Sequence, residues 1–127
     1  MKLPEFHPKG WGYEQWIVNN EKYCGKLMRF IQGKECSWHY HKVKHETFYI
    51  HEGKLKVTFG MGDDLVKASF KILGPGEVFE VSPGMRHKMV AVEGDCTMFE
   101  FSTTHMEDDS YRIIKGNQVR YILKTPM

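Results

Sequence analysis

Cysteine is scarce in this chain: Cys24, Cys36 and Cys96 are the only three, and no two form a C-x-x-C pair. An odd count without paired spacing argues against a disulfide framework and for a reducing cytoplasm, each thiol serving as a small buried group. Cys36, three residues before His39, is the one thiol to check as a metal neighbour. An excess of charge of either sign is also missing. Eighteen basic residues against sixteen acidic ones leave a net +2, which makes no electrostatic case for a nucleic-acid partner or a membrane surface. No apolar run approaches the ~18 residues of a membrane span. Met1 to Pro8 is charged and proline-broken, so no cleavable apolar leader is expected. Internal repeats, low-complexity tracts and interdomain linkers are lacking, and no segment reads as a convincing amphipathic helix.

What is present is a chain of 127 residues, 41% hydrophobic and 13% aromatic, enough for one domain over residues 1–127 with a single core. Short strand follows short strand, with glycine or proline between. Tyr13 to Val18, Lys26 to Ile31, Ser37 to His41, Glu46 to His51 and Lys54 to Phe59 read as strands. Lys67 to Leu73, Glu77 to Val81, Lys88 to Val92 and Thr97 to Ser102 continue the series. Regular punctuation of this kind predicts an all-β sandwich or barrel, not βαβ units. Met1 to Lys9 and His105 to Met127 read as arms laid over it. One short turn is expected within Met106 to Ile114, and Val119 to Leu123 is apolar enough for a terminal strand or a clasp on a partner subunit.

The densest chemistry lies at His39-Tyr40-His41, followed by Glu46 and Gly53 and preceded by Gly33. Two histidines at i and i+2 on a strand project from one face. With a carboxylate they make a divalent-metal site, hard enough for Mn or Fe(II) and soft enough for Zn. A helical reading pairing His41 with His45 fails, because Tyr40, Val43, Thr47, Phe48, Tyr49 and Ile50 are strand formers. His87, within Ser82 to His87, is a fourth candidate ligand from far along the chain.

These residues resemble the cupin superfamily. Gly33, His39, His41, Glu46 and Gly53 match its first motif, G-x5-H-x-H-x3,4-E-x6-G. Gly76, Gly84 and His87 match its second, G-x5-P-x-G-x2-H-x3-N, with Ser82 and Ala91 in place of the usual proline and asparagine. The resemblance implies an all-β, single-domain barrel, a double-stranded β-helix of two antiparallel sheets, with its core over about residues 13–103. It implies one divalent metal ion held by His39, His41, Glu46 and His87, with positions left open for water or substrate, as in catalytic sites. The ligand set suits Mn, Fe, Ni, Zn and Co nearly alike. Spacing to Gly53 favours Glu46 over its neighbour His45 as the carboxylate position, and alternation then turns His45, and His51 with it, outward.

A narrower resemblance is to the cupin domain of type II phosphomannose isomerases. Lys9-Gly10-Trp11-Gly12-Tyr13-Glu14 is similar to the K-P-W-G-x-x-E opening of that group, Phe99 to Ser102 to its I-E-V-Q strand, and Asp108 to Arg112 to its acidic, arginine-ended tail. The implied activity is a metal-dependent aldose–ketose interconversion of a sugar or sugar phosphate. Glu100, between Met98 and Ser102 on one strand face, is the candidate catalytic base, its pKa expected to be raised by burial. Arg86 and Lys44 are placed at the mouth as holders of a phosphate, and Tyr49, with Trp38 and Tyr40, as walls for the sugar. Two other readings stand beside it: a non-catalytic sugar-binding module, and an Fe(II)-dependent dioxygenase. A cytoplasmic homodimer is expected, since small cupins usually pair and an exposed N-terminal edge strand needs covering.

Overall fold

Alternating side chains along short, glycine-bounded segments give eleven strands in the computed structural model, which describes residues 2–117. In order they are β1 (Glu5–Lys9), β2 (Gly12–Asn19), β3 (Cys24–Phe30), β4 (Trp38–Tyr40), β5 (Glu46–Glu52) and β6 (Leu55–Gly60). Then come β7 (Ser69–Leu73), β8 (Val78–Val81), β9 (Arg86–Ala91), β10 (Cys96–Ser102) and β11 (Tyr111–Ile114). They form a six-stranded sheet, β1-β2-β3-β10-β5-β8, and a five-stranded sheet, β11-β4-β9-β6-β7. Every pairing among them is antiparallel. This is the expected all-β barrel of two antiparallel sheets.

The inward positions change character along the strands, and that change locates the site. On β10 the buried Cys96 and Met98 give way to Glu100; on β5, Ile50 and Phe48 give way to Glu46; on β9, Ala91 and Met89 give way to His87. The apolar half closes into a core with Phe30, Leu55, Val57 and Val81. The ionisable half opens into a cavity of about 510 Å³. Gly53, at the β5–β6 turn, has φ +85°, and a Cβ there would run into the Asp95 carbonyl, so only glycine closes the turn.

Several elements differ from the sequence reading. The N-terminal segment is more than an arm laid over the barrel: Glu5–Lys9 pairs with β2 as an edge strand. Pro8 does not prevent this, since an edge strand needs hydrogen bonds on one side only. The strand expected from Lys67 starts at Ser69, because Asp64 caps a 3-10 turn over Leu65–Lys67 through Val66 N–H. The single turn expected after Met106 is a 3-10 turn at Glu107–Asp109, and it leads into β11, which pairs with β4. Val119 to Leu123 lies outside the described residues. Among those described, no helix is long and apolar enough to cross a membrane.

Candidate metal centre

His39 in β4 and His41 one residue past its end alternate with Trp38 and Tyr40, so both imidazoles turn inward together. β4 and β9 set His39 directly opposite His87. The ligand-capable nitrogens of His39, His41 and His87 all lie within 4.8 Å of one another. Glu46 enters from the first position of β5 on the facing sheet, with Oε2 3.5 Å from His41 Nε2 and 3.3 Å from His87 Nε2.

Each ring is fixed by a backbone carbonyl. Nδ1 of His39 lies 2.8 Å from Ser37 O, that of His41 2.9 Å from Asp109 O, and that of His87 3.0 Å from Met85 O. A carbonyl only accepts, so Nδ1 carries the proton and Nε2 presents its lone pair to the cavity. Burial, then the neighbouring rings of His87 and His41, pushes His39 well below the usual histidine range; burial and Lys44 lower His41 against the pull of Glu46. Burial alone would raise Glu46, but His87, Lys44 and His41 together hold its carboxyl well below the ordinary value. The 3.3 Å contact lacks hydrogen-bond alignment, so Glu46 Oε2 and His87 Nε2 are buried without a hydrogen-bond partner among the described residues. A buried carboxylate oxygen and an imidazole nitrogen left facing each other unpaired are an arrangement that a cation relieves. The donor set therefore fits a divalent ion, with three imidazoles and one carboxylate available to hold it.

Beside this cluster runs a line of buried alternating charge. Lys44 Nζ is 2.7 Å from Glu100 Oε2 and 3.4 Å from Glu46 Oε1. Glu100 also accepts a hydrogen bond from Ser102 Oγ at 3.0 Å and sits across from Lys26 in the β3–β10 ladder. Lys26 Nζ in turn is 3.3 Å from Glu14 Oε1 and stands over the Trp16 ring. Burial, and then Glu46, raises the Glu100 pKa despite Lys44 and Lys26. Burial opposes the charge on Lys44, but Glu100 and Glu46 more than offset it, and its pKa is raised.

The structure moves three expected substrate contacts. Tyr49 faces away from the cavity on β5, beside Phe99 and Val78 on the outer surface. Alternation decides this, because Phe48 and Ile50 claim the inner positions. Arg86 precedes His87 and so points outward, where it bonds Asp63 and Gly84 O and stacks on Tyr40. Lys44 is not at the mouth or on a solvated face; it is 2% exposed, deep between two carboxylates. Trp38 and Tyr40 also sit outside the cavity, whose indoles are those of Trp11 and Trp16. His45 turns outward to Glu80 at 2.6 Å, and His51 is exposed. Cys36 lines the cavity but accepts a hydrogen bond from Met89 N–H, and burial pushes its thiol up to about 12.

Sequence reasoning passed over Lys26 and the structural task of Asp109. Lys26 keeps step with Met28 and Phe30 on β3, so the period-two pattern already placed it inside. Asp109 is buried and its carboxylate accepts backbone N–H bonds from Lys42, Val43 and Lys44, at 2.9 to 3.3 Å. That fixes the loop between His41 and Glu46, and no local pattern announces it.

The cupin domain family model matches residues 26–104. No curated protein matches the chain by sequence. Among solved structures, capsular polysaccharide assembling protein CapF from Staphylococcus aureus superposes with a TM-score of 0.78 at 15% identity, over 90% of this chain and 35% of that one. Oxalate decarboxylase from Bacillus subtilis gives 0.76 at 19% identity, over 87% and 30%. KdgF from Halomonas sp. gives 0.64 at 19% identity, over 76% and 81%. These likenesses establish the fold, and the chain spans about a third of the length of the first two proteins.

Proposed function

This chain belongs to the cupin family, and from that premise we propose a metal-dependent enzyme that interconverts an aldose and a ketose, acting on a sugar or sugar phosphate. The observation that carries the reading is the buried Glu100–Lys44 pair beside the three histidines and Glu46. His39, His41, His87 and Glu46 would hold the ion. A divalent metal bound there supplies Lewis acidity to the carbonyl and hydroxyl oxygens of the substrate.

The remaining work falls to the chain itself. Aldose–ketose exchange moves one proton from C2 to C1 and one between the two oxygens. Glu100 Oε takes the C2 proton as base and returns it to C1, and a pKa raised by burial suits a group that must both accept and release a proton. Lys44 Nζ holds the Glu100 carboxylate in place and steadies negative charge as it develops on the oxygens. Trp11, stacked on Phe30, and Met28 supply an apolar wall that excludes water from the sugar's carbon face.

A non-catalytic sugar-binding module is the second reading. It is favoured by the same contact seen otherwise: a carboxylate tied to a lysine at 2.7 Å is also a structural ion pair. Turnover of mannose 6-phosphate, fructose 6-phosphate and unphosphorylated sugars, each with Mn, Fe, Co, Ni and Zn, separates the two. Activity lost by at least about 100-fold in Glu100→Gln with metal binding retained supports the isomerase. No turnover with any metal sinks it, and oxygen uptake by the iron-loaded protein with a thiol or catechol would favour a dioxygenase instead. The homodimer belongs to the same proposal, supported by Phe101, Val78 and Tyr49, which leave an apolar outer face on β10, β5 and β8.

A further inference from the structure

We infer that the cavity takes an anionic carbohydrate, its phosphate or carboxylate held at the rim by Lys9, Arg112 and Lys115. The inference rests on reading this cavity as a sugar site, and it replaces Arg86 and Lys44 as the anion-holding pair.

Several basic side chains of the barrel are already matched. Lys26 meets Glu14, Arg29 meets Glu52, Lys44 meets Glu100, Arg86 meets Asp63 and Lys88 meets Glu35. Lys9, Arg112 and Lys115 all line the cavity, yet among the described residues none of their side chains makes a direct ion pair or hydrogen bond, although Lys9 stands near enough to Glu14 to help lower its carboxyl pKa. They come from three places: the end of β1, the middle of β11 and the segment beyond it. The carboxylates deeper inside are paired with two lysines, Glu14 with Lys26, and Glu46 and Glu100 together with Lys44. Glu107 is the acidic group at the rim, and it lies 3.4 Å from His105. Three cations against one carboxylate leave the entrance positive although the whole chain carries only +2.

The three cations are held in place by the backbone. Arg112 is the cross-strand partner of His39, so its side chain rises from the same face as the first histidine. Lys115 is held because Asn117 bonds Glu35 twice, N–H to Glu35 O at 2.9 Å and Oδ1 from Glu35 N–H at 2.8 Å. Gly116 packs so closely on the Cys36 backbone that a Cβ would not fit. Lys9 closes the β1–β2 hairpin opposite Gly12. Guanidinium and ammonium groups at one entrance suit a phosphate or carboxylate, with the two-pronged fork of Arg112 giving direction. A sugar anchored there by its charged end extends its other end toward the histidines.

Isothermal titration of the full chain, with and without added Mn(II), tests this using mannose 6-phosphate, glucuronate and mannose. The expected result is that at least one charged sugar binds ten-fold or more tighter than mannose, and more weakly as salt rises. Binding of mannose 6-phosphate alone identifies a sugar phosphate; of glucuronate alone, a sugar acid. K9A/R112A/K115A should lose at least ten-fold for the charged sugar and leave mannose unchanged. R112E should do the same from one position, which covers the case where the triple variant folds poorly. Equal binding of mannose, wild-type affinity in both variants, or no binding of any sugar overturns the inference. Charge-dependent binding without turnover would sink the isomerase and leave the rim site standing. Turnover of neutral sugars alone would do the reverse.

Discussion

Lys44 Nζ lies 2.7 Å from Glu100 and 3.4 Å from Glu46, with all three side chains at most 3% exposed. One cation thus joins the candidate base to the candidate metal ligand. Removing it leaves two carboxylates facing each other out of water. Lys44→Met should therefore cost about 3–5 kcal/mol, the usual penalty for stranding a buried charge, measured by urea unfolding in chelator. Adding Glu100→Gln should restore part of the loss. A single variant as stable as wild type would show that water, not Lys44, solvates the pair.

Asp109 touches no ligand position through its carboxylate, yet it caps three backbone N–H groups of the loop between His41 and Glu46 and offers its carbonyl to His41 Nδ1. Asp109→Ala should destabilise the fold by about 2–3 kcal/mol, because buried donors lose a charged acceptor. It should also weaken divalent-metal affinity about 10- to 100-fold, as loss of support behind a ligand commonly does. Calorimetric metal titration of the variant checks the second effect separately from the first.

Metal should stabilise the folded chain by mass action, about 2.7 kcal/mol at a hundred times Kd. His87→Gln should abolish that gain for every ion tried. A melting curve that does not move with Mn, Fe, Co, Ni or Zn would place the chain among cupins that hold no metal.

His105 provides a pH signature. Burial, with Lys26 and Lys44 nearby, lowers its pKa from 6.5 to about 4, despite Glu107. The unfolded chain therefore takes up a proton near pH 6.5 that the folded chain refuses until about pH 4. Stability is full above 6.5 and falls as pH drops through that window. In metal-free protein His39 and His41, also lowered, add to the same slope. His105→Asn should flatten one proton's share of it in urea unfolding run from pH 4 to 8.

The β architecture was legible because it rests on local rules, and the candidate ligand positions because they match the cupin motifs. Glycine bounds the turns, alternation assigns faces, and the spacing from Gly33 to Gly53 singles out His39, His41 and Glu46. The same alternation separates Arg86 from His87 and Tyr49 from Phe48, so their outward placement was within reach of the pattern. Lys44 was not. It lies in a loop without period, and its direction is fixed by the buried Asp109 carboxylate, 65 residues away, that grips its N–H.

By itself the sequence determined an all-β sandwich or barrel, since strand periodicity and turn chemistry act over a few residues, while the two-sheet barrel and the four candidate ligand positions came from its resemblance to the cupin motifs. Only the tertiary structure decided the company those side chains keep. It enclosed Glu14, Lys26, Glu100 and Lys44 with the histidines, and it left Lys9, Arg112 and Lys115 unmatched at the entrance. Ion pairing depends on which distant strands face each other and on how little water reaches them. No spacing along the chain encodes either.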